Sequence, residues 1–164
     1  LKIKNMIIFL NGSINAGKST VAKILAKNIP KVALVEIDVL REMIDWMPID
    51  EAVPVNILNA VSVIKNFVKS GLNVIVPYPL SQKNYDFVMS ELKEIDSKIY
   101  VFTLSPKIEK TLTNRGTRDL SESERGRIKY HYDIGIHSPS FGEIIDNSEQ
   151  APEETAEYIL NKIL

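Results

Sequence analysis

Met6-Ile-Ile-Phe-Leu10-Asn11-Gly12-Ser13-Ile14-Asn15-Ala16-Gly17-Lys18-Ser19-Thr20 is the stretch of this 164-residue chain that decides its fold. Its first five residues form an unbroken apolar run, the pattern of a central strand buried on both faces, and Asn11-Gly12 marks where that strand stops. From Lys18 to about Asn28 the apolar residues Val21, Ile24 and Leu25 recur at helical spacing, and Pro30 ends the segment. Between strand and helix, Gly12 to Ser19 fits G-x-x-x-x-G-K-[ST] in the context that pattern requires. The glycines allow a loop whose successive amides turn inward around an anion, and the helix starting at Lys18 aims the positive end of its dipole at the same place. A chance glycine-rich turn beside a surface lysine is the alternative, and the strand-loop-helix context argues against it. The expected guest is the polyphosphate of ATP. Gly12, Ser13, Asn15, Ala16 and Gly17 form the cradle, Lys18 neutralises the outer phosphates, the Ser19 hydroxyl ligates the magnesium bridging them, and Thr20 supports the loop.

Downstream, strand and helix keep alternating. Val32 to Ile37 reads as a second strand, followed by a short helix from about Val39 to Trp46 that Pro48 terminates. Asp50 and Gly71 bracket a long helix, with Leu58, Val61, Ile64, Phe67 and Val68 as its inward stripe and Gly71 as C-cap. Leu72 to Val76 repeats the buried-strand pattern, Ser81 caps a helix through Leu92, and Lys98 to Leu104 is another strand. Ser105-Pro106 reads as an N-cap with proline at the first helical position, Glu122 to about Tyr132 as a helix, Glu143 to Asp146 as a short last strand, and Pro152 as the start of the final helix. The pattern predicts one α/β domain over 1–164: three layers, a five-stranded parallel sheet flanked by helices, right-handed crossovers, and ligands at the carboxyl ends of the strands.

Composition narrows the function. Twenty basic and twenty-one acidic side chains give a net charge of -1, so nothing global points to nucleic acid or an anionic membrane as partner. With no cysteine, a disulfide scaffold, a thiolate metal site and a thiol nucleophile are all excluded. The run Met6 to Leu10 is too short to span a bilayer and lacks a signal-peptide cleavage pattern, so the expected location is cytoplasmic.

Glu36 and Asp38 lie two apart at the end of the second predicted strand, where an extended backbone sends both toward one face. A carboxylate there can orient an acceptor hydroxyl and take its proton. Asp38, nearer the loop, is the candidate base, with capping of the next helix as its alternative role; Glu36 is a candidate metal or substrate ligand. Of the five arginines, Arg41 stands alone, while Arg115, Arg118, Arg125 and Arg127 fall within thirteen residues of a polar segment. Guanidinium forks suit phosphate oxygens, so this segment, about 115–127, is read as a lid. Pairing of these arginines with Asp119, Glu122 and Glu124 on an exposed helix is the competing reading. His131 and His137 have no neighbours at metal-ligand spacing and receive no chemistry, and Tyr130, His131 and Tyr132 read as packing and surface residues. Trp46 and Met47 are candidates for either an acceptor pocket or the core.

On the loop Gly12 to Ser19, the Glu36-Ile-Asp38 segment, the stretch Arg115 to Arg127 and Ile144-Ile-Asp-Asn-Ser148 leading into Pro152-Glu-Glu, nearly the whole chain resembles the small P-loop kinases. That group includes nucleoside monophosphate, shikimate and gluconate kinases, and the likeness is greatest to chloramphenicol phosphotransferase and its zeta-toxin-like relatives. The resemblance implies strand order 2-3-1-4-5, ATP with Mg2+ as donor, and a lid closing over the phosphates. It further implies that Asp38 deprotonates the acceptor, Arg115 packs on adenine, Arg118 is a lid arginine, the backbone of Asn147 to Ala151 flanks adenine, and Arg41 grips an acidic group of the acceptor. One departure stands out: Val74-Ile-Val-Pro77-Tyr78-Pro79 carries no acidic residue where many relatives have one, leaving magnesium to Ser19, phosphate oxygens and waters. The expected activity is transfer of the γ-phosphate to a hydroxyl of a small molecule bound by residues 39–60 and 77–85. The alternatives are a nucleotide-binding module without acceptor chemistry and a nucleoside monophosphate kinase, the latter on the spacing of Asp38 and Arg41.

Overall fold

The computed structural model describes residues 5–114 and 119–164. The elements run β1 (Met6–Asn11), α1 (Lys18–Asn28), β2 (Val32–Leu34), α2 (Ile37–Glu42), α3 (Ile49–Lys69), β3 (Asn73–Pro77), α4 (Gln82–Leu92), β4 (Lys98–Leu104), α5 (Ile108–Thr111), α6 (Glu122–Asp133), β5 (Glu143–Ile145) and α7 (Pro152–Ile163). The strands form one parallel sheet in the order β2-β3-β1-β4-β5, as expected. No helix of the described residues is long and apolar enough to cross a membrane.

The period-2 alternation of a strand explains the layers. Ile7 and Phe9 of β1, with Val74 and Val76 of β3, face α3 and α4, where Ile57, Ala60, Ile64, Val88 and Leu92 close the first core. Ile8, Leu10 and Ile75 face the other way, toward Val21, Ala22 and Leu25 of α1 and Ala156 and Ile159 of α7. Both faces of the central strands are therefore dry, which is why they read as continuous apolar runs. The functional loop can sit only at the carboxyl edge, where β1 ends between β3 and β4.

Several local readings are corrected. The second strand ends at Leu34 rather than Ile37: Val35 N–H still bonds the Ile75 carbonyl, but at Glu36 the chain turns into α2. Glu36 and Asp38 therefore do not share an extended backbone. Glu36 holds the cap position, neither side chain caps the helix, and Asp38 lies in its first turn. The short helix stops at Glu42 and gives way to turns closed by Ile44 N–H to Arg41 and Met47 N–H to Ile44.

On α3 the inward stripe runs through Ile57, Ala60, Val61, Ile64 and Val68, and Leu58 falls outside it at 51% exposure. Gly71 is one residue past the C-cap, at φ +83, where Leu72 N–H bonds the Phe67 carbonyl and Gly71 N–H that of Val68, so only a glycine sits there without strain. Ser105 does not cap a helix. Its N–H bonds the carbonyl of Ile145, the last residue of β5, which keeps the chain extended until Lys107. Ser81 and Ser121 do cap α4 and α6, the latter with Glu124 completing a capping box.

Candidate active site

The loop from Gly12 to Gly17 leaves the end of β1 and enters α1 at Lys18. Gly12 has φ +136, and a Cβ there would lie 2.5 Å from the Leu104 carbonyl oxygen, so the loop hugs β4 only because this position has no side chain. Below it, Asn11 is fully buried and ties three segments together. Its amide donates to Thr103 Oγ1 (3.0 Å) and the Ile136 carbonyl (3.1 Å), and its carbonyl accepts Leu80 N–H (2.7 Å). Asn15 adopts φ +62 and donates its amide to the carbonyls of Thr111 (2.8 Å) and Thr113 (2.9 Å), which anchors the loop to the segment after β4. Ala16 is buried, and its carbonyl accepts from Asn147 Nδ2 at 3.0 Å, which sets the segment beginning at Asn147 against the loop.

Lys18 curls back so that Nζ donates to the Ser13 carbonyl at 2.6 Å. Burial lowers its ammonium to about 8, and the Asp38 carboxylate opposes that shift. Asp38 is thus within electrostatic reach of the loop lysine across the opening. Beside it is a cavity of about 500 Å3 lined by Ile14 of the loop, Ile37, Asp38 and Arg41 of α2, Ile49, Val53 and Asn56 of α3, Tyr78 and Pro79 after β3, and residues of α6 that include Arg127, Tyr130 and His131. The Tyr78 hydroxyl is pushed up to about 12, first by burial and then by Asp38, with Arg127 and Arg41 partly offsetting both.

His131 occupies a place that sequence reading gave no role. It is 3% exposed, its Nδ1 lies 3.2 Å from Ser13 Oγ, and burial together with the cations of Arg127 and Lys18 pulls it down to about 4, so the ring is neutral at pH 7. The available signal was on α6 itself, whose buried positions, Ile128 and His131, lie one turn apart on a helix that is mostly charged and polar. Arg127 stacks over Tyr130 at 5.1 Å and faces the cavity. Arg125 fits the competing reading instead: it reaches the Leu112 carbonyl, Asn114 and, at 3.8 Å, Glu122. Tyr132 packs by stacking on His137 and donates to the Pro106 carbonyl.

Arg41 is in the cavity wall with Asp38. Glu36 is not. It borders a separate groove with Lys23, Val39 and Phe67, because the turn into α2 separates it from Asp38. Trp46, at 76% exposure, belongs to neither the core nor the cavity, and Met47 does not line the cavity. Thr20 is exposed on α1, and among the described residues no side-chain bond ties it to the loop. Arg115 and Arg118 lie outside the described residues.

Ser19, the second residue of α1, is exposed at the loop, and no group of three or more His, Asp or Glu able to hold a metal exists among the described residues, so the hydroxyl is the group this loop would offer a magnesium ion. The Ser19 hydroxyl would be the protein ligand, with phosphate oxygens and water completing the shell.

In sequence, no protein-family model and no curated protein matches the chain. In structure it is similar to many. The tunicamycin resistance protein of Deinococcus radiodurans superposes with a TM-score of 0.74 at 19% identity, over 98% of this chain and 96% of the other. The fold is that of the P-loop kinases. A sugar kinase from a Janibacter species gives a TM-score of 0.71 at 17% identity, covering 96% and 93% of the two chains. The APS kinase of Mycobacterium tuberculosis, solved with AMPPNP and APS, gives 0.67 at 16% identity over 96% of each.

Proposed function

We propose that this P-loop kinase fold is an ATP- and Mg2+-dependent phosphotransferase that moves the γ-phosphate to a hydroxyl of a small molecule. The observation that carries this reading is the meeting of Lys18 and Asp38: the loop lysine feels the Asp38 carboxylate, and Asp38 shares an acceptor-sized cavity with Ile14 of the same loop. The AMPPNP held by the similar APS kinase supports placing a nucleotide at this loop.

The loop amides of Gly12, Ser13, Asn15, Ala16 and Gly17 bind the phosphates, and Lys18 leaves the Ser13 carbonyl to neutralise the terminal one. Magnesium at Ser19 would add positive charge against the oxygens of the transferring group. Asp38 accepts the acceptor's hydroxyl proton as the new O–P bond forms and the bond to the bridging oxygen breaks, with ADP departing as the leaving group. Segment 115–127 acts as a lid of the one domain 1–164, with Arg118 meeting phosphate and Arg115 adenine. Residues Ser123, Glu124, Gly126 and Arg127 of that segment border the acceptor cavity.

An ADP-coupled assay over small hydroxylated compounds tests this. The expected result is acceptor-dependent ADP release that falls about a hundredfold or more in Asp38→Asn while ATP affinity is kept. Tight ATP binding without release for any acceptor would instead mark a nucleotide-binding module. Arg41 in the wall beside Asp38 favours one second reading, a nucleoside monophosphate kinase, and titration with monophosphates decides it.

A further inference from the structure

The pattern G-x-x-x-x-G-K-[ST] fixes Gly12, Gly17, Lys18 and Ser19 and leaves the side chains between them open. In this chain the side chains of Ser13 and Asn15, with Asn11 just before the loop, are committed to α6 and its flanks. Asn11 Nδ2 donates to the carbonyl of Ile136, whose own N–H bonds the His131 carbonyl at 2.9 Å. Ser13 Oγ lies 3.2 Å from His131 Nδ1, within α6 itself. Asn15 holds the Thr111 and Thr113 carbonyls, while Arg125 of α6 donates to the Leu112 carbonyl and to Asn114 Oδ1 of the same segment. Three alternate residues therefore moor the helix: Asn11 beyond its C-terminus, Ser13 within it, and Asn15 through residues 111–114 near its N-terminus.

The middle tie stands apart. Ser13 and His131 are 1% and 3% exposed, so water does not compete for their bond. The Ser13 carbonyl also accepts from Lys18 Nζ at 2.6 Å and from the Ala16 N–H at 3.3 Å. A polyphosphate that draws Lys18 away removes the shortest of these bonds, and among the described residues His131 is then the side chain that holds Ser13 in place. His131 also lies one helical turn from Arg127, and both line the acceptor cavity with Tyr130. A change at Ser13 thus meets the helix one turn away from the cation in that wall.

We propose that His131 is a positioning residue for the phosphate loop: through Ser13 it sets the loop for a polyphosphate and couples the arrival of that polyphosphate to α6, the helix that carries Arg127 and Tyr130 to the acceptor cavity. This rests on the nucleotide-binding part of the reading above and adds the residue that prepares it. A histidine that only fills space under α6 would leave nucleotide affinity untouched.

The test uses the purified full chain with Mg2+, and AMPPNP as the probe. In calorimetry His131→Leu and Ser13→Ala should each raise Kd by about fivefold or more, and the double variant should stay within about twofold of the weaker-binding single, because all three lack the same bond. His131→Asn, whose amide can still face Ser13, should bind within about twofold of wild type. NMR of the histidine-labelled chain is simple because His131 and His137 are its two histidines. AMPPNP should shift the His131 ring signals, and Ser13→Ala should reduce that shift to about half or less. This comparison does not need His131→Leu, so it decides the matter if that variant does not fold. The proposal is overturned by single variants that bind like wild type, by effects that multiply in the double variant, by an Asn variant as weak as the Leu one, or by a ring shift that is absent or unchanged in Ser13→Ala. Each of these leaves the phosphotransferase reading standing, whereas a wild-type chain that binds no AMPPNP overturns both.

Discussion

The phosphate loop draws its chemistry from eight consecutive residues, Gly12 to Ser19, whereas the cavity beside it is assembled from α2, α3, the residues after β3 and α6. On the loop side, backbone geometry does most of the work: Gly12 lies tight against Leu104, Asn15 is anchored to the Thr111 and Thr113 carbonyls, and Lys18, bonded to the Ser13 carbonyl, supplies the charge. In the cavity, the proposed acceptor side, the work falls to side chains brought together from distant segments: Asp38, Arg41, Asn56, Tyr78, Arg127 and His131. A motif that binds what all its substrates share can be local. A pocket that selects among acceptors is built by the tertiary fold, and it can change without disturbing the motif.

That contrast can be broken by mutation. Lys18→Met should remove ATP binding in calorimetry and cut turnover by about a thousandfold or more, because no other loop residue carries a cation to the outer phosphates. Arg41→Met should instead leave ATP binding intact and act on acceptor KM. Equal loss of ATP affinity in both variants would erase the distinction between the two sides.

Gly12→Ala tests the backbone half. The clash with Leu104 and the positive φ should cost about 3–5 kcal/mol, seen as a lower urea midpoint.

His131 tests the side-chain half through pH. Its folded value near 4 lies below the ordinary 6.5, so between these values the unfolded chain binds more protons, and stability falls as pH drops from 6.5 toward 4. The loss should be on the order of 2–3 kcal/mol and should flatten in His131→Gln, measured by urea unfolding across that range.

The smallest effect concerns Lys18. With the free ammonium near 8 and a bound polyphosphate holding the proton, ATP binding should take up a fraction of a proton at pH 8, approaching one as pH rises further. Affinity should weaken over the same range, and calorimetry in buffers of different ionisation enthalpy reads both.

The same contrast governs what could be read from the sequence. The loop, the buried strands and the Ser81 cap were legible because each depends on neighbours within a few residues, whereas Ser105 was misread as a cap because its N–H is taken by Ile145 across the sheet; the strand order followed from the family resemblance. Asp38 was found through an incorrect geometry. It reaches the cleft from the first turn of α2 rather than the end of a strand, and the same turn removes Glu36 from the site. Arg125 and Arg127 looked alike in sequence, but two residues on a helix are about 200° apart, so one turns toward the Leu112 segment and the other into the cavity. His131 was illegible because its partner, Ser13, is 118 residues away in the chain.

A crystal structure with AMPPNP and Mg2+ tests the central claim most directly. The account predicts the terminal phosphate within hydrogen-bond distance of Lys18 Nζ, which will have left the Ser13 carbonyl, with the Asp38 carboxylate facing that phosphate across open cavity. A nucleotide bound elsewhere while Lys18 stays on Ser13, or a phosphate screened from Asp38 by protein, would contradict it.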